Sequence, residues 1–141
     1  MLTISKTLLS KIETHGEATY PDECCGALIG TLNPETGDKV ITKIVEMDNI
    51  SDENKKRRFM IKPEEYKRVE TVANEEGLQL LGFYHSHPDH PAKPSETDLK
   101  FAWPFFSYFI TSIQKGKAQE TFSYALDLDL NQFGDEPITI N

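Results

Sequence analysis

One stretch constrains this chain more than any other: Leu80-Leu81-Gly82-Phe83-Tyr84-His85-Ser86-His87, then Pro88-Asp89-His90-Pro91-Ala92-Lys93-Pro94, then Ser95-Glu96-Thr97-Asp98. An apolar run with two aromatics that ends in polar residues reads as a buried strand surfacing at its C-terminal end. Side chains alternate faces along a strand, so His85 and His87 point the same way, their Cα atoms roughly 6.5–7 Å apart. Two imidazoles so placed can converge on one ion, while Ser86 points to the other face. The proline-rich loop that follows is stiff and non-helical. Ser95 then reads as the N-cap of a helix, with Asp98 three residues on.

Taken alone, Ser95-x-x-Asp98 is a common capping box, and either histidine is an ordinary surface or hydrogen-bonded residue. Together they offer two neutral imidazoles and a carboxylate, one ligand short of a closed tetrahedron. Structural zinc sites fill every position with protein groups, mostly thiolates, whereas catalytic ones leave the fourth to water. The ligand count therefore points to chemistry rather than to a structural staple.

With these residues in view, the chain resembles the JAMM (MPN+, Mov34) zinc metallopeptidases, whose motif His85-x-His87-x7-Ser95-x-x-Asp98 matches. Members of that family include deubiquitinating isopeptidases and small bacterial relatives. The family's motif also needs a glutamate far upstream, commonly within Glu-x-Cys-Gly at the start of the first strand. This chain carries Glu23-Cys24-Cys25-Gly26. The resemblance continues through Asn49, Arg58-Phe59-Met60-Ile61-Lys62-Pro63 and Pro137-Ile138-Thr139-Ile140, so it covers nearly the whole chain.

The resemblance implies one zinc ion held by His85, His87 and Asp98. It implies Glu23 as the carboxylate that moves the proton, and Ser95 as the donor to the developing oxyanion. It also implies hydrolysis of an amide or isopeptide bond after the C-terminal glycines of a ubiquitin-like or sulfur-carrier protein. Little lies beyond the family's core, so a small prokaryotic-type member is expected, acting on such a protein joined to an amino acid, peptide or protein.

Composition narrows the partners. At 141 residues the chain is expected to form one domain, residues 1–141. A net charge of −8 argues against nucleic acid or an anionic membrane surface as the main partner. No apolar run reaches the ~18 residues of a membrane span, and the first twenty residues show an amphipathic pattern rather than a signal-peptide core. Cys24 and Cys25 are the only cysteines and are adjacent, so no disulfide framework is expected and a reducing cytoplasm is the expected setting. They read as small buried hydrophobes beside the site, with a Cys25 thiol tuning the metal as the alternative. Monomer or homodimer is left open.

Along the chain, Ile4, Leu8, Leu9 and Ile12 share one helical face, predicting a helix over 4–15 that stops near Gly16. Strands are predicted over 24–32 and 39–47, joined as a hairpin by the turn cluster Asn33 to Gly37. Residues 48–58 read as a polar loop ending in Lys55-Lys56-Arg57-Arg58, a solvated face or a contact for the partner, and Phe59 to Ile61 as a short strand. Pro63 sits at the first position of a helix running to Gly77, with Glu64 and Glu65 at the positive end of its dipole. Trp103-Pro104 ends the Ser95-capped helix. Strands follow over 106–113 and 121–130, with an edge strand over 137–140. Strands outnumber helices and most are hairpin-connected, which predicts an α+β fold around one mixed, curved sheet. The family resemblance implies the same: a barrel-like sheet flanked by helices.

Two other readings compete with this one. Two histidines and a carboxylate also form the facial triad of non-haem iron oxygenases, and His-x-His opens the metal motif of cupins. Cupins usually place a glutamate four or five residues after the second histidine, where this chain has Pro91 and Ala92. The JAMM-like fold also occurs as catalytically silent protein-binding scaffolds. Those typically lack motif residues, whereas Glu23, His85, His87, Ser95 and Asp98 are all present here.

Overall fold

The computed structural model describes residues 1–47, 63–100, 102–127 and 129–141. The predicted loop over 48–58, its basic run and the short strand at Phe59–Ile61 lie outside the described residues. The elements in chain order are β1 (Leu2–Ile4), α1 (Lys6–Thr19), β2 (Cys25–Leu32), β3 (Lys39–Met47), α2 (Pro63–Glu75), β4 (Gln79–Pro88), α3 (Glu96–Lys100), β5 (Ser107–Gln114), β6 (Lys117–Asp127), β7 (Gln132–Glu136) and β8 (Ile138–Ile140).

The strands form one mixed sheet in the order β7-β6-β5-β4-β2-β3-β1-β8. β2 and β3 pair antiparallel as the predicted hairpin, β4 pairs antiparallel with β2, and β5 lies parallel to β4. The two ends of this order are β7 and β8, and only Pro137 separates them in the chain. One residue cannot span an open sheet, so the two edges must come together, and the sheet curls into a nearly closed barrel. Proline has no N–H to extend a ladder, which ends β7 there, while its carbonyl accepts the Leu2 N–H at 3.2 Å.

β4 is buried on both faces, and alternation divides its side chains between two packed layers. Tyr84 joins Leu2, Ile4, Ile12, Leu28 and Phe109 beneath α1. Phe83 joins Ala27, Met47, Val69 and Tyr108 beneath α2. α2 begins at Pro63 with Glu64 and Glu65 in its first turn, as predicted. It gives way to β4 through Gly77, whose φ of +70° is a left-handed conformation that glycine adopts without strain.

Three boundaries differ from the sequence reading. Residues 2–4 are a strand, so the first helix starts at Lys6, with the Ser5 hydroxyl accepting the Leu8 N–H at 3.1 Å. That helix also runs through Gly16 to Thr19. Gly16 is there for packing: a Cβ at this position would stand 2.8 Å from Ile113 Cδ1. Finally, β6 spans 117–127 rather than 121–130, and the polar run Gln132–Glu136 pairs with it as a strand that no hydrophobic alternation announces.

Candidate metal centre

The C-terminal end of β4 carries both histidines on the α2 side of the sheet, the side that Phe83 also faces. His85 lies beside Cys25 of β2 and Ile110 of β5 and is 1% exposed. His87 follows at the point where the strand reaches the surface. The short α3 brings Asp98 against both rings. The two Nε2 atoms are 3.2 Å apart, Asp98 Oδ1 is 3.2 Å from His85 Nε2, and Asp98 Oδ2 is 3.2 Å from His87 Nε2.

The hydrogen bonding around this triangle shows what it suits. His87 Nδ1 lies 3.0 Å from the Pro91 carbonyl. A carbonyl only accepts, so Nδ1 carries a proton and the lone pair of a neutral ring sits on Nε2, inside the triangle. Burial pushes the His85 imidazole below its usual pKa, against the pull of the neighbouring Asp98 carboxylate. For Asp98, burial alone would raise the carboxyl. The two imidazoles and the Ser95 N–H outweigh it and hold the group well below the usual carboxylate range. Two ring nitrogens and a carboxylate thus converge, with 3.2 Å between the nitrogens and 3.2 Å from each nitrogen to one carboxylate oxygen. Metal–nitrogen bonds of about 2.0–2.1 Å put tetrahedral donors about 3.3–3.4 Å apart. The residues present fit a tetrahedral divalent cation.

Glu23, immediately before Cys24 and β2, completes the setting. Its carboxylate and the two imidazoles offer donor atoms that all lie within 4.8 Å of one another. It is 2% exposed. Burial, and then the charge of Asp98, push its carboxyl up to about 9. Glu23, His87 and Ser95 share a cleft of about 290 Å³ with Pro88, His90, Pro91 and Lys93.

Asp98 closes a capping box with Ser95 while both of its oxygens face the imidazoles. The Ser95 N–H donates to Asp98 Oδ2 at 2.8 Å, and the Asp98 N–H donates to the Ser95 hydroxyl oxygen at 3.0 Å. A carboxylate has about four lone-pair directions, so both sets of partners are served at once. Glu23, His87 and Ser95 of the five residues singled out in the sequence line this cleft, and His85 and Asp98 lie against His87. His90 lines that cleft but is absent from the donor cluster. Cys24 and Cys25 are buried thiols not joined in a disulfide, and burial pushes Cys24 up to about 11. The Pro91 carbonyl was missed, because backbone acceptors leave no trace in residue identity.

Comparison with known proteins agrees with this geometry. Residues 5–127 match the family described as prokaryotic homologs of the JAB domain. The chain is 31% identical to a desampylase of Haloferax volcanii over 107 residues, 75% of this chain and 73% of that protein. It is 28% identical to the CysO-cysteine peptidase of Mycobacterium bovis over 127 residues, 89% of this chain and 83% of that protein. A solution structure from Desulfitobacterium hafniense superposes with a TM-score of 0.87 at 26% identity, covering 100% of this chain and 93% of the other. A JAB1/MPN domain protein from Archaeoglobus fulgidus shares the fold at 19% identity, with a TM-score of 0.64 over 98% of this chain and 97% of the other. The curled α+β sheet and the motif together define a JAMM/MPN-type domain. The chain belongs to the prokaryotic JAB-domain family.

Proposed function

We propose that this protein is a zinc-dependent hydrolase that cleaves the amide or isopeptide bond following the C-terminal glycines of a ubiquitin-like or sulfur-carrier protein. The observation that carries the reading is the convergence of two imidazole Nε2 atoms, 3.2 Å apart, with each Asp98 oxygen 3.2 Å from one of them and the buried Glu23 carboxylate beside them. The similarity to a desampylase and to a CysO-cysteine peptidase supports peptidase-type chemistry. The substrate class is the one the JAMM resemblance implies.

His85, His87 and Asp98 would hold the zinc, which when bound supplies Lewis acidity and lowers the pKa of water toward neutrality. Asp98 touches both imidazoles, so it belongs with them as a ligand, whereas Glu23 stands back and handles protons. Glu23 accepts the proton released by the attacking water and returns it to the leaving amine, help typically worth ~10²–10⁴-fold. Burial, which pushes its carboxyl up to about 9, suits it to the second step, and the positive charge of a bound cation would favour the ionised form that the first step needs. The Ser95 hydroxyl accepts the Asp98 N–H and still has its own proton to donate to the oxyanion, a contact usually worth about 3–4 kcal/mol.

The test is to incubate the zinc-loaded protein with ubiquitin-like and sulfur-carrier proteins extended at their C-termini, and to weigh the products. Loss of the extension after the terminal glycine, abolished by a chelator, is the expected result. A zinc-loaded protein that binds such partners and never cuts them is a scaffold.

A further inference from the structure

Between the two imidazoles lies a residue that the chemistry above leaves unused. We propose that Ser86 is a positioning residue for Glu23: its hydroxyl holds the Glu23–Cys24 peptide and so fixes the carboxylate against the metal centre. The proposal rests on the reading of Glu23 as the proton carrier.

Ser86 is fully buried on the α1 side of the sheet, behind the metal face. Its N–H donates to the Cys24 carbonyl at 3.2 Å, and its hydroxyl oxygen accepts the Cys24 N–H at 2.8 Å. In a regular antiparallel ladder the two backbones exchange both bonds, so the Cys24 N–H would meet the Ser86 carbonyl. Here the seryl side chain takes that rung. The ladder of β2 accordingly begins only at Cys25, and Glu23 enters from outside the sheet.

The Cys24 nitrogen belongs to the same rigid peptide plane as the Glu23 carbonyl. Holding that nitrogen therefore sets the direction in which the Glu23 side chain leaves the backbone. Alternation does the rest. Cys24 packs among the α1-side core with Tyr84 and Leu28, and Cys25 packs on the α2 side, so Glu23 points to the same side as His85 and His87. α1 closes the arrangement from behind, because a Cβ on Gly16 would stand 3.5 Å from Ser86 Cβ. One residue thus ties the strand that bears the ligands to the segment that bears the proton carrier. Placement errors of about 0.5 Å are enough to spoil such a site.

The experiment uses the full chain with zinc alone as the probe, and a cleavable carrier where one is found. Ser86→Ala should speed hydrogen exchange at the Cys24 amide about 10-fold or more. It should remove the zinc-induced shift of the Glu23 carboxyl carbon while leaving zinc stoichiometry unchanged. kcat should fall roughly 10–100-fold with KM little altered, as for other supporting hydrogen bonds around metal sites. Ser86→Thr, which keeps the hydroxyl, should restore all of these. In a Glu23→Gln background Ser86→Ala should cost nothing further. Unchanged Cys24 exchange, a Glu23 shift that survives in Ser86→Ala, zinc lost together with kcat, or an equal loss in the Glu23→Gln background would each overturn the proposal. If Ser86→Ala does not fold, the nearly isosteric Ser86→Cys, a weaker acceptor, is read by the same exchange and carbon-shift criteria. If no carrier is cleaved even by the unaltered protein, the hydrolase reading fails, while the exchange and shift measurements still decide what Ser86 does.

Discussion

Two buried polar clusters lie toward opposite ends of β4, and they differ in where their positive charge comes from. Near Leu81, the Lys39 ammonium donates to the Leu81 carbonyl at 3.4 Å, to the Phe105 carbonyl at 2.8 Å and to the Ser107 hydroxyl at 2.8 Å. Three N–H donors meet three oxygens, and the chain itself supplies the cation. Near His87, two imidazoles and a carboxylate meet, and among the described residues no Lys or Arg side chain bonds to them. Burying polar groups is costly unless they are satisfied. The first cluster is complete on folding and can only stabilise. The second would be completed by the cation proposed above, and that difference is open to test.

The largest effect expected from this contrast follows removal of a donor from the open cluster. His85→Ala, or treatment with a strong chelator, should strip metal and activity together, down to the uncatalysed background. Metal analysis alongside the carrier-cleavage assay reads both. A His85→Ala protein that keeps its zinc would show that the triangle is an ordinary hydrogen-bonded knot, like its counterpart at Lys39. Next comes Glu23→Gln, which leaves the triangle intact and should keep the metal while lowering kcat by ~10²–10⁴-fold. Activity equal to that of the unaltered protein would remove Glu23 from the mechanism.

The closed cluster should answer in stability. Lys39→Met leaves three acceptors without their donor, at roughly 1–3 kcal/mol for each that stays buried, with zinc binding unaffected. The ammonium also gives a pH signature. Burial lowers the Lys39 pKa below its ordinary 10.5, with Glu136 opposing. Between the folded-state value and 10.5 the unfolded chain holds more protons, so the contribution of Lys39 to stability rises with pH across that window. Denaturant midpoints of the two proteins, compared as pH is raised toward 10.5, should diverge in favour of the unaltered chain. Parallel curves would mean that burial does not lower the Lys39 pKa in the folded chain.

The same contrast explains what could be read in advance. The open cluster was legible because its geometry is local: a two-residue repeat puts His85 and His87 on one face, and a cap three residues long returns Asp98 to them. The β2–β3 hairpin and α2 were legible for similar reasons, in a turn cluster and in Pro63 ahead of two glutamates. What escaped depends on partners distant in the chain. Leu2 to Ile4 look helical until β3 and β8 flank them. Gln132 to Glu136 become a strand only because β6 is there to pair with. The Lys39 cluster draws on residues from three separate segments and leaves no motif. The fold was thus read from its local repeats, and the barrel closure was hidden because it is made entirely by long-range pairing.

The smallest effect sharpens the boundary of the open cluster. A third imidazole, His90, lies in the same cleft, only three residues beyond His87. Ligand count alone would let it compete for the fourth position. The geometry argues otherwise: its residue is exposed, and its backbone carbonyl accepts the Ser112 hydroxyl at 2.6 Å, which anchors the loop without needing the ring. His87, by contrast, has its ring pinned through Nδ1 to the Pro91 carbonyl. His90→Ala should therefore leave zinc stoichiometry unchanged and alter kcat by less than about threefold, the scale of a surface change of ±0.5 kcal/mol. Zinc titration of this variant with a competing chelator is the measurement. A large loss of affinity would put His90 among the ligands, fill the fourth vertex with protein, and turn the open cluster into a closed one like that at Lys39.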